Sequence, residues 1–373
     1  MAAALHDREK LVFLETFGCQ MNENDSERML GVLKGLSYAR TKDPSEADLI
    51  LINTCSIRDK AEQKVYSTLG RFKSLKKERP GLVIGVAGCV AQQEGEKLLK
   101  RAPHLDIVFG PHNVHKLKEL LLKADSGAKV VVTGQTEEIS PEEYGTEPVE
   151  IEEKAFVSIM RGCNNFCSYC IVPYTRGREV SRLSRDILNE IEGLVARGVK
   201  EVTLLGQNVN SYGTGGGGDV SFPELLVKVC RVEGLSRVRF ITSHPKDISD
   251  ELIHLFGEEH KLCRHVHLPV QSGSDRVLAA MGRGYTVEGY LAKAGLLKRL
   301  YPDMAITSDI IVGFPGETAV DHEATMGLLR TVRFDNIFSF MYSPRPGTRA
   351  AGLPDQVPPE ARSERLQRLQ EEQ

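Results

Sequence analysis

The sequence predicts an α/β fold in two parts, an N-terminal doubly wound parallel sheet followed by a partial (βα)6 barrel. Two observations carry this expectation. Short apolar runs alternate with amphipathic stretches along nearly the whole chain, and an acidic, Pro- and Gly-punctuated segment divides them into two series. Strands that alternate with helices pair in parallel through crossovers. A chain of 373 residues holds one large domain or two ordinary ones, and the divide favours two.

In the first series LVFLETF (11–17) reads as a strand, with a helix opening near Asn24, Asp25 and Ser26. DLILINT (48–54) is the second strand, and a long charged helix runs from it to about Lys77. LVIGVAG (82–88) and DIVFG (106–110) are the third and fourth, with helices starting near Gln92 and spanning about 113–123. The boundaries expected are 1–125 for the first domain and 126–153 for a linker with one short strand, VVV.

The second series, 154–357, has candidate strands at 155–160, 201–206, 237–242, 265–269, 306–312 and 336–342. Helical patterns lie near 184–197, 222–232, 249–257, 286–300 and 318–331. Six βα units are too few to close an eight-stranded barrel, so a curved, partly open one is expected, with its site at the carboxyl ends of the strands. Residues 358–373 read as a polar helix that docks or exits. The run GTGGGG (213–218) reads as a flexible loop; no Gly-Lys-Ser/Thr follows it, so it is not a phosphate loop.

Composition excludes several classes. Hydrophobic and charged fractions of 41% and 27% are those of a globular protein. The first residues lack a basic flank before a long apolar run, and no window approaches about 20 apolar residues, so neither a secretory leader nor a membrane span is expected. The cytoplasm is the expected compartment. A formal net charge of −3 does not advertise a nucleic-acid binder. Arg176, Arg178, Arg182 and Arg185 form a local basic run, for which the plain reading is a solvated helix start.

Eight cysteines without a leader point to metal ligation or catalysis rather than disulfides. MRGCNNFCSYC places Cys163, Cys167 and Cys170 in a C-x3-C-x2-C loop directly after the first strand of the second series. Three thiolates on a short loop hold three irons of a [4Fe–4S] cube and leave the fourth open. A zinc site would want a fourth Cys or His nearby, and no His lies close in sequence; buried core cysteine is the other competing reading. Cys19, Cys55 and Cys89 each terminate a predicted parallel strand, so a doubly wound sheet brings them to one edge as a second trio. The competing reading is three separate half-buried thiols. Cys230 and Cys263 show no partner pattern.

The C-x3-C-x2-C loop after the first strand of a partial barrel resembles the radical S-adenosylmethionine (SAM) superfamily. The chain as a whole resembles the MiaB-type radical SAM methylthiotransferases. The resemblance rests on ETFGCQMNENDSERM, ADLILINTCSIRDKAEQK, GVAGCVAQQEGE, FVSIMRGCNNFCSYCIVPYTRGREVSR, EVTLLGQNVNSY, LPVQSGSDRVLAAMGRGYT, SDIIVGFPGET and SFMYSPRPGT, in that order from about residue 10 to the end.

That resemblance implies two [4Fe–4S] clusters, SAM as cofactor, and an auxiliary cluster on Cys19, Cys55 and Cys89 that carries sulfur. One SAM gives its methyl group to that sulfur. A second, at the Cys163–Cys167–Cys170 cluster, is cleaved by one electron to methionine and a 5′-deoxyadenosyl radical, which opens an unreactive C–H bond. The N-terminal sheet edge is then expected to face the barrel mouth, with substrate between them.

By family position Tyr169 faces the adenine of SAM, Gln207, Ser272 and Asp309 touch the cofactor, and Gly313 lets backbone approach it; capping of the next helix competes for the polar residues. Tyr174, Arg176 and Arg178 are candidates to contact RNA. The implied partners are a tRNA anticodon stem-loop carrying isopentenyladenosine, modified at ring carbon 2, and an electron donor such as flavodoxin. Sister branches act on threonylcarbamoyladenosine in tRNA or on a ribosomal-protein aspartate. A radical SAM enzyme of simple methylation, or an RNA-binding regulator that kept the fold, are the other readings. Family members usually continue into a small β-barrel RNA-binding (TRAM) domain where this sequence stops at RLQRLQEEQ, so that domain is expected to be absent.

Overall fold

The computed structural model describes residues 9–56, 61–140, 143–144 and 152–373. The chain folds into two compact units, one of Met1–Ile151 with Tyr174–Gly177 and one of Glu152–Pro173 with Arg178–Gln373.

The first unit is a six-stranded parallel sheet: β1 (Lys10–Thr16), β2 (Tyr38–Arg40), β3 (Leu49–Thr54), β4 (Val83–Gly88), β5 (Ile107–Phe109) and β6 (Val130–Val132), in the order β2-β1-β3-β4-β5-β6. Every residue of β3 and β4 is buried, as central parallel strands covered on both faces must be. Helices α1 (Gln20–Lys34) and α5 (Leu117–Asp125) cover one face, through Met29, Leu33, Leu117 and Leu120. On the other, α2 (Ala61–Glu78), α3 (Cys89–Glu94) and α4 (Glu96–Arg101) bury Leu69, Phe72, Val90 and Leu98.

Three expectations change here. The VVV strand is the edge strand of the first sheet, paired in parallel with β5, so the first unit reaches past 125. Glu143 and Tyr144 also belong to it, the former accepting from Arg28 through its carbonyl and the latter lying under the Arg28 guanidinium; 141–142 and 145–151 of the expected linker lie outside the described residues. The first helix starts directly after Cys19, not near residue 24, because the Cys19 carbonyl accepts from the N–H groups of Asn22 and Glu23 (2.8 and 3.2 Å). Asn24, Asp25 and Ser26 look like a cap in sequence but are buried mid-helix polar residues.

In the second unit β7 (Lys154–Ser158), β8 (Met160–Arg161), α6 (Val172–Thr175, whose last two residues join the first unit), β9 (Val180–Ser181), α7 (Ser184–Ala196) and β10 (Glu201–Leu205) come first. They are followed by α8 (Phe222–Cys230), β11 (Arg237–Phe240), α9 (Asp250–Glu258), β12 (His265–His267), α10 (Asp275–Met281) and α11 (Val287–Leu300). The chain ends with β13 (Ala305–Val312), α12 (Ala319–Val332), β14 (Asn336–Met341) and α13 (Pro359–Glu372).

The six parallel strands of the expected partial barrel are present as two hydrogen-bonded groups, β11-β10-β7 and β12-β13-β14, with a Val238–Leu262 bridge between them. Strand β13 alternates half-buried and buried residues, so Ile306, Ser308, Ile310 and Val312 face the helices while Thr307, Asp309 and Ile311 face the open side. The core gathers Ile187, Phe222, Phe256, Tyr290, Leu297 and Met326 from the covering helices. Helix α13 docks through fully buried Leu369 and an ion pair of Arg365 with buried Glu317 (2.8 Å). The glycine run at 213–218 is tied down, with Gly213 N–H donating to Ser181 Oγ (3.0 Å). Among the described residues no helix is long and apolar enough to cross a membrane.

Candidate functional sites

In the first unit a cysteine closes three neighbouring strands at their carboxyl ends. Cys19 follows β1, Cys55 follows β3 and Cys89 follows β4, and these three strands are neighbours in the sheet. Gly18 and Gly88, just before two of the cysteines, have φ of +137° and +91°. A Cβ on Gly18 would stand 2.4 Å from the Cys55 Cβ, and one on Gly88 2.4 Å from the Thr54 carbonyl oxygen. Only glycine permits these bends and this closeness, and through Gly18 the backbone that carries Cys19 lies against Cys55, while the Cys19 thiol donates to Asn22 Oδ1 (3.6 Å).

The neighbouring Cys55 side chain, above all, lowers the Cys19 thiol to about 6 against the opposing effect of burial, with help from Arg176 and from N–H groups at the start of α1. Burial raises the Cys89 thiol, and the positive charge of Arg176 works the other way. Around the trio lies a buried polar layer. Asn53 Nδ2 donates to the Asn22 carbonyl (2.7 Å) and Ser26 Oγ (2.9 Å). Arg176 Nη2 donates to Asp25 (2.8 Å) and Asn22 Oδ1 (3.1 Å).

In the second unit Cys163, Cys167 and Cys170 lie on the loop after β8. The loop turns tightly, Cys170 N–H donating to the Cys167 carbonyl (2.9 Å). Ser168 anchors it to α10, its N–H on the Met281 carbonyl and its hydroxyl on that of Ala280 (2.8 and 2.9 Å). Burial pushes Cys163 up to about 11 and Cys170 up to about 12, and each thiol also feels Cys167. Buried Arg283 donates to Cys167 Sγ (3.5 Å) and to the Pro269 carbonyl (2.7 Å).

Soft thiol donors fit iron in both places. Among the described residues no three His, Cys, Asp or Glu side chains are grouped to hold a metal ion at one point. The thiolates of a cube bond to different irons and ring a volume rather than a point, so a trio spaced for a cube differs from a zinc site.

The residues expected to meet SAM divide. Gln207, after β10, has both amide atoms buried and without a hydrogen-bond partner. Asp309 lies within β13 on its open face, 3.4 Å from His267. Tyr169 packs with Val277, Met281, Phe314 and Tyr342. Ser272 is fully buried and accepts from the Ser274 N–H (3.2 Å), while the cap of α10 is Ser274 itself, its hydroxyl accepting from the Val277 N–H. At Gly313 (φ +71°) a Cβ would stand 2.2 Å from Arg362 Cγ, so the lack of a side chain there lets α13 approach.

Sequence reasoning missed further residues of the second unit that share this property with Gln207. Buried atoms of Glu179, Asn210, Ser243, His244 and Gln271 also lack partners among the described residues, a costly state for polar groups that a polar ligand relieves. Thr242 and Gln271, just past β11 and β12, hold left-handed backbone (φ +73° and +72°), a strain that marks functional strand ends. The motif ITSHP, with four polar or special residues at a strand end, was the available signal.

The residues expected to meet RNA also divide. Tyr174 is exposed, and Arg178 is exposed with its guanidinium 4.4 Å from the Phe166 ring centroid. Arg176 is 5% exposed and belongs to the first unit; its ion pair with Asp25 directs it to the thiols rather than to solvent.

Two family profiles match the chain: uncharacterized protein family UPF0004 over residues 11–110 and the Radical SAM superfamily over 157–329. The tRNA-2-methylthio-N(6)-dimethylallyladenosine synthase of Geotalea uraniireducens is 55% identical over 97% of this chain and 82% of its own length. Its namesake from Geobacter sulfurreducens is 54% identical over 97% and 81%, and that of Caldicellulosiruptor saccharolyticus 52% over 97% and 77%. Among solved structures, the radical SAM methyltransferase TsrM from Kitasatospora setae aligns with a TM-score of 0.67 at 15% identity, over 92% of this chain and 75% of that one. The cobalamin-dependent radical SAM enzyme OxsB aligns at 0.63 and 14%, over 97% and 56%; both likenesses concern the fold alone. From the identity held over nearly its full length, the chain belongs to the radical SAM family of tRNA-2-methylthio-N(6)-dimethylallyladenosine synthases.

Proposed function

We propose that this chain is a tRNA methylthiotransferase that replaces the hydrogen on carbon 2 of dimethylallyl (isopentenyl) adenosine, beside the anticodon, with a methylthio group in the cytoplasm. The observation that carries the reading is the convergence of Cys19, Cys55 and Cys89 at three neighbouring strand ends, in a chain that also holds the Cys163–Cys167–Cys170 loop. In this reading each trio holds a [4Fe–4S] cluster. When bound, the clusters and SAM supply the radical chemistry and the sulfur that side chains cannot.

The chain's own residues do the rest. Gly18 and Gly88 draw the first trio together, and Ser168 fixes the second loop on α10. Arg283 presents N–H to the Cys167 sulfur. Gln207, Glu179, Ser243, His244 and Gln271 offer buried donors and acceptors to hold SAM in one orientation. Tyr174 and Arg178 present an aromatic ring and a planar cation, the groups on which splayed RNA bases stack. A low-potential electron donor such as a flavodoxin completes the set of partners.

The test is anaerobic incubation with SAM, reductant and tRNA bearing dimethylallyladenosine, followed by mass analysis of nucleosides. The expected product is the 2-methylthio nucleoside. Cys19→Ala should still cleave SAM yet form none of it. Methylthio product from the Cys19→Ala protein, or modification of a different nucleoside by the unaltered chain, would overturn the reading.

A further inference from the structure

Arg176 is six residues past Cys170 in sequence, yet it is folded into the first unit. Its side chain is 6% exposed and that of its partner Asp25 is 4%. A buried guanidinium is costly to desolvate and persists only where its charge and N–H groups are satisfied. Asp25 Oδ2 and Asn22 Oδ1 take two of its bonds, at 2.8 and 3.1 Å. The His112 ring fixes its backbone through the Arg176 carbonyl (3.0 Å). Asp25 is already shared, since Arg28 Nη1 stands 3.2 Å from its other oxygen. Two buried guanidiniums thus face one carboxylate, and Arg176 Nη2 shares the Asn22 Oδ1 acceptor (3.1 Å) with Cys19 Sγ (3.6 Å), so that its charge acts on Cys19 and Cys89.

We propose that Arg176 is a positioning residue of the auxiliary site, its guanidinium supplying positive charge and N–H donors to the sulfurs of Cys89 and Cys19. The proposal rests on the reading of Cys19, Cys55 and Cys89 as a cluster site. Every thiolate adds a negative charge to a buried place, and reduction of a cluster adds another. A fixed cation beside the sulfurs favours the reduced form and raises the potential, since net charge and hydrogen bonds to sulfur set it. The geometry also explains the excess positive charge around Asp25, which the thiolates balance.

The experiment uses full-length chain in which Cys163, Cys167 and Cys170 are all replaced by Ala, reconstituted anaerobically, so that only the auxiliary site is read. Iron content and an EPR-monitored redox titration are compared among this parent, Arg176→Gln, Arg176→Lys and, as a control for charge loss at an exposed helix, Arg71→Gln. The expected result is retention of iron in all, with a lower midpoint potential in Arg176→Gln. The shift should be an equilibrium change of about tenfold, or about 59 mV for one electron. Arg176→Lys should fall between, and Arg71→Gln should match the parent. Loss of iron in Arg176→Gln but not in Arg176→Lys supports the proposal equally. An unshifted potential in iron-loaded Arg176→Gln overturns it while leaving the cluster reading intact, as does equal loss of iron in both Arg176 variants. A parent without iron overturns both.

Discussion

Asp25 offers the most quantitative test of the polar layer around the first cysteine trio. Its carboxylate lies between two guanidiniums, 3.2 Å from Arg28 Nη1 and 2.8 Å from Arg176 Nη2, and the three side chains are 4%, 10% and 6% exposed. Asp25→Asn keeps the shape and one acceptor but leaves two cations buried together. Breaking a buried pair costs about 3–5 kcal/mol, and the acceptor that Asn retains puts the expectation near the lower end, about 3 kcal/mol. For a unit of this size that corresponds to about 6–12 °C in the melting temperature.

The assay is thermal unfolding of the iron-free chain, following the transition of the N-terminal unit. In the reconstituted chain the thiolates supply negative charge beside Arg176, so the same substitution should cost about half as much by the same electrostatic argument. A loss below about 1 kcal/mol in the iron-free chain, or an equal loss in both forms, would refute the reasoning.

Two further outcomes follow from the same structure. Gly18→Ala combines a forbidden backbone angle with a Cβ placed 2.4 Å from Cys55, so it should cost about 2–4 kcal/mol and lower iron retention. Gly70→Ala, with nothing within 4 Å of the new Cβ, should stabilise α2 by about 0.5–1 kcal/mol; equal unfolding midpoints for the two variants would contradict the steric account. Burial, foremost, pushes the Glu179 carboxyl up to about 7 from the ordinary 4.5. Between these values the folded chain keeps a proton that the unfolded chain has released, so stability falls as pH rises through that window. The full effect at about 1.36 kcal/mol per pH unit would be about 3 kcal/mol, and solvent screening brings it to about 2 kcal/mol. Glu179→Gln should flatten that slope in the SAM-free chain, and an unchanged slope would assign it to other groups.

Strands and helices with a clean period were legible in the sequence, because one apolar stripe per element reports one buried face. The six barrel strands and the helices between them fall within a few residues of where the pattern placed them. The placement of Cys19, Cys55 and Cys89 at neighbouring strand ends was legible for a related reason, since a parallel sheet puts every strand's carboxyl end on one edge. What stayed hidden depends on contacts distant in sequence. Asn24, Asp25 and Ser26 imitate a helix cap until Asn53 and Arg176 are seen to bond into the same layer. Arg176 reads as a solvated cation until the chain carries residues 174–177 into the first unit. The closeness of Arg362 of α13 to Gly313 has no sign in the sequence. His244 and Ser243 carry no periodic signal, and beyond the polar motif ITSHP they are marked by the buried His244 Nε2 and Ser243 Oγ, which lack partners.

The most direct measurement is the iron and sulfide content of the reconstituted chain with and without the second cysteine trio, combined with Mössbauer spectroscopy. Two four-iron cubes predict about eight irons per unaltered chain and about four after Cys163, Cys167 and Cys170 are replaced by Ala. An iron-free triple variant, in a chain that otherwise folds and binds about four irons, would show that Cys19, Cys55 and Cys89 hold no cluster and would remove sulfur delivery from the account.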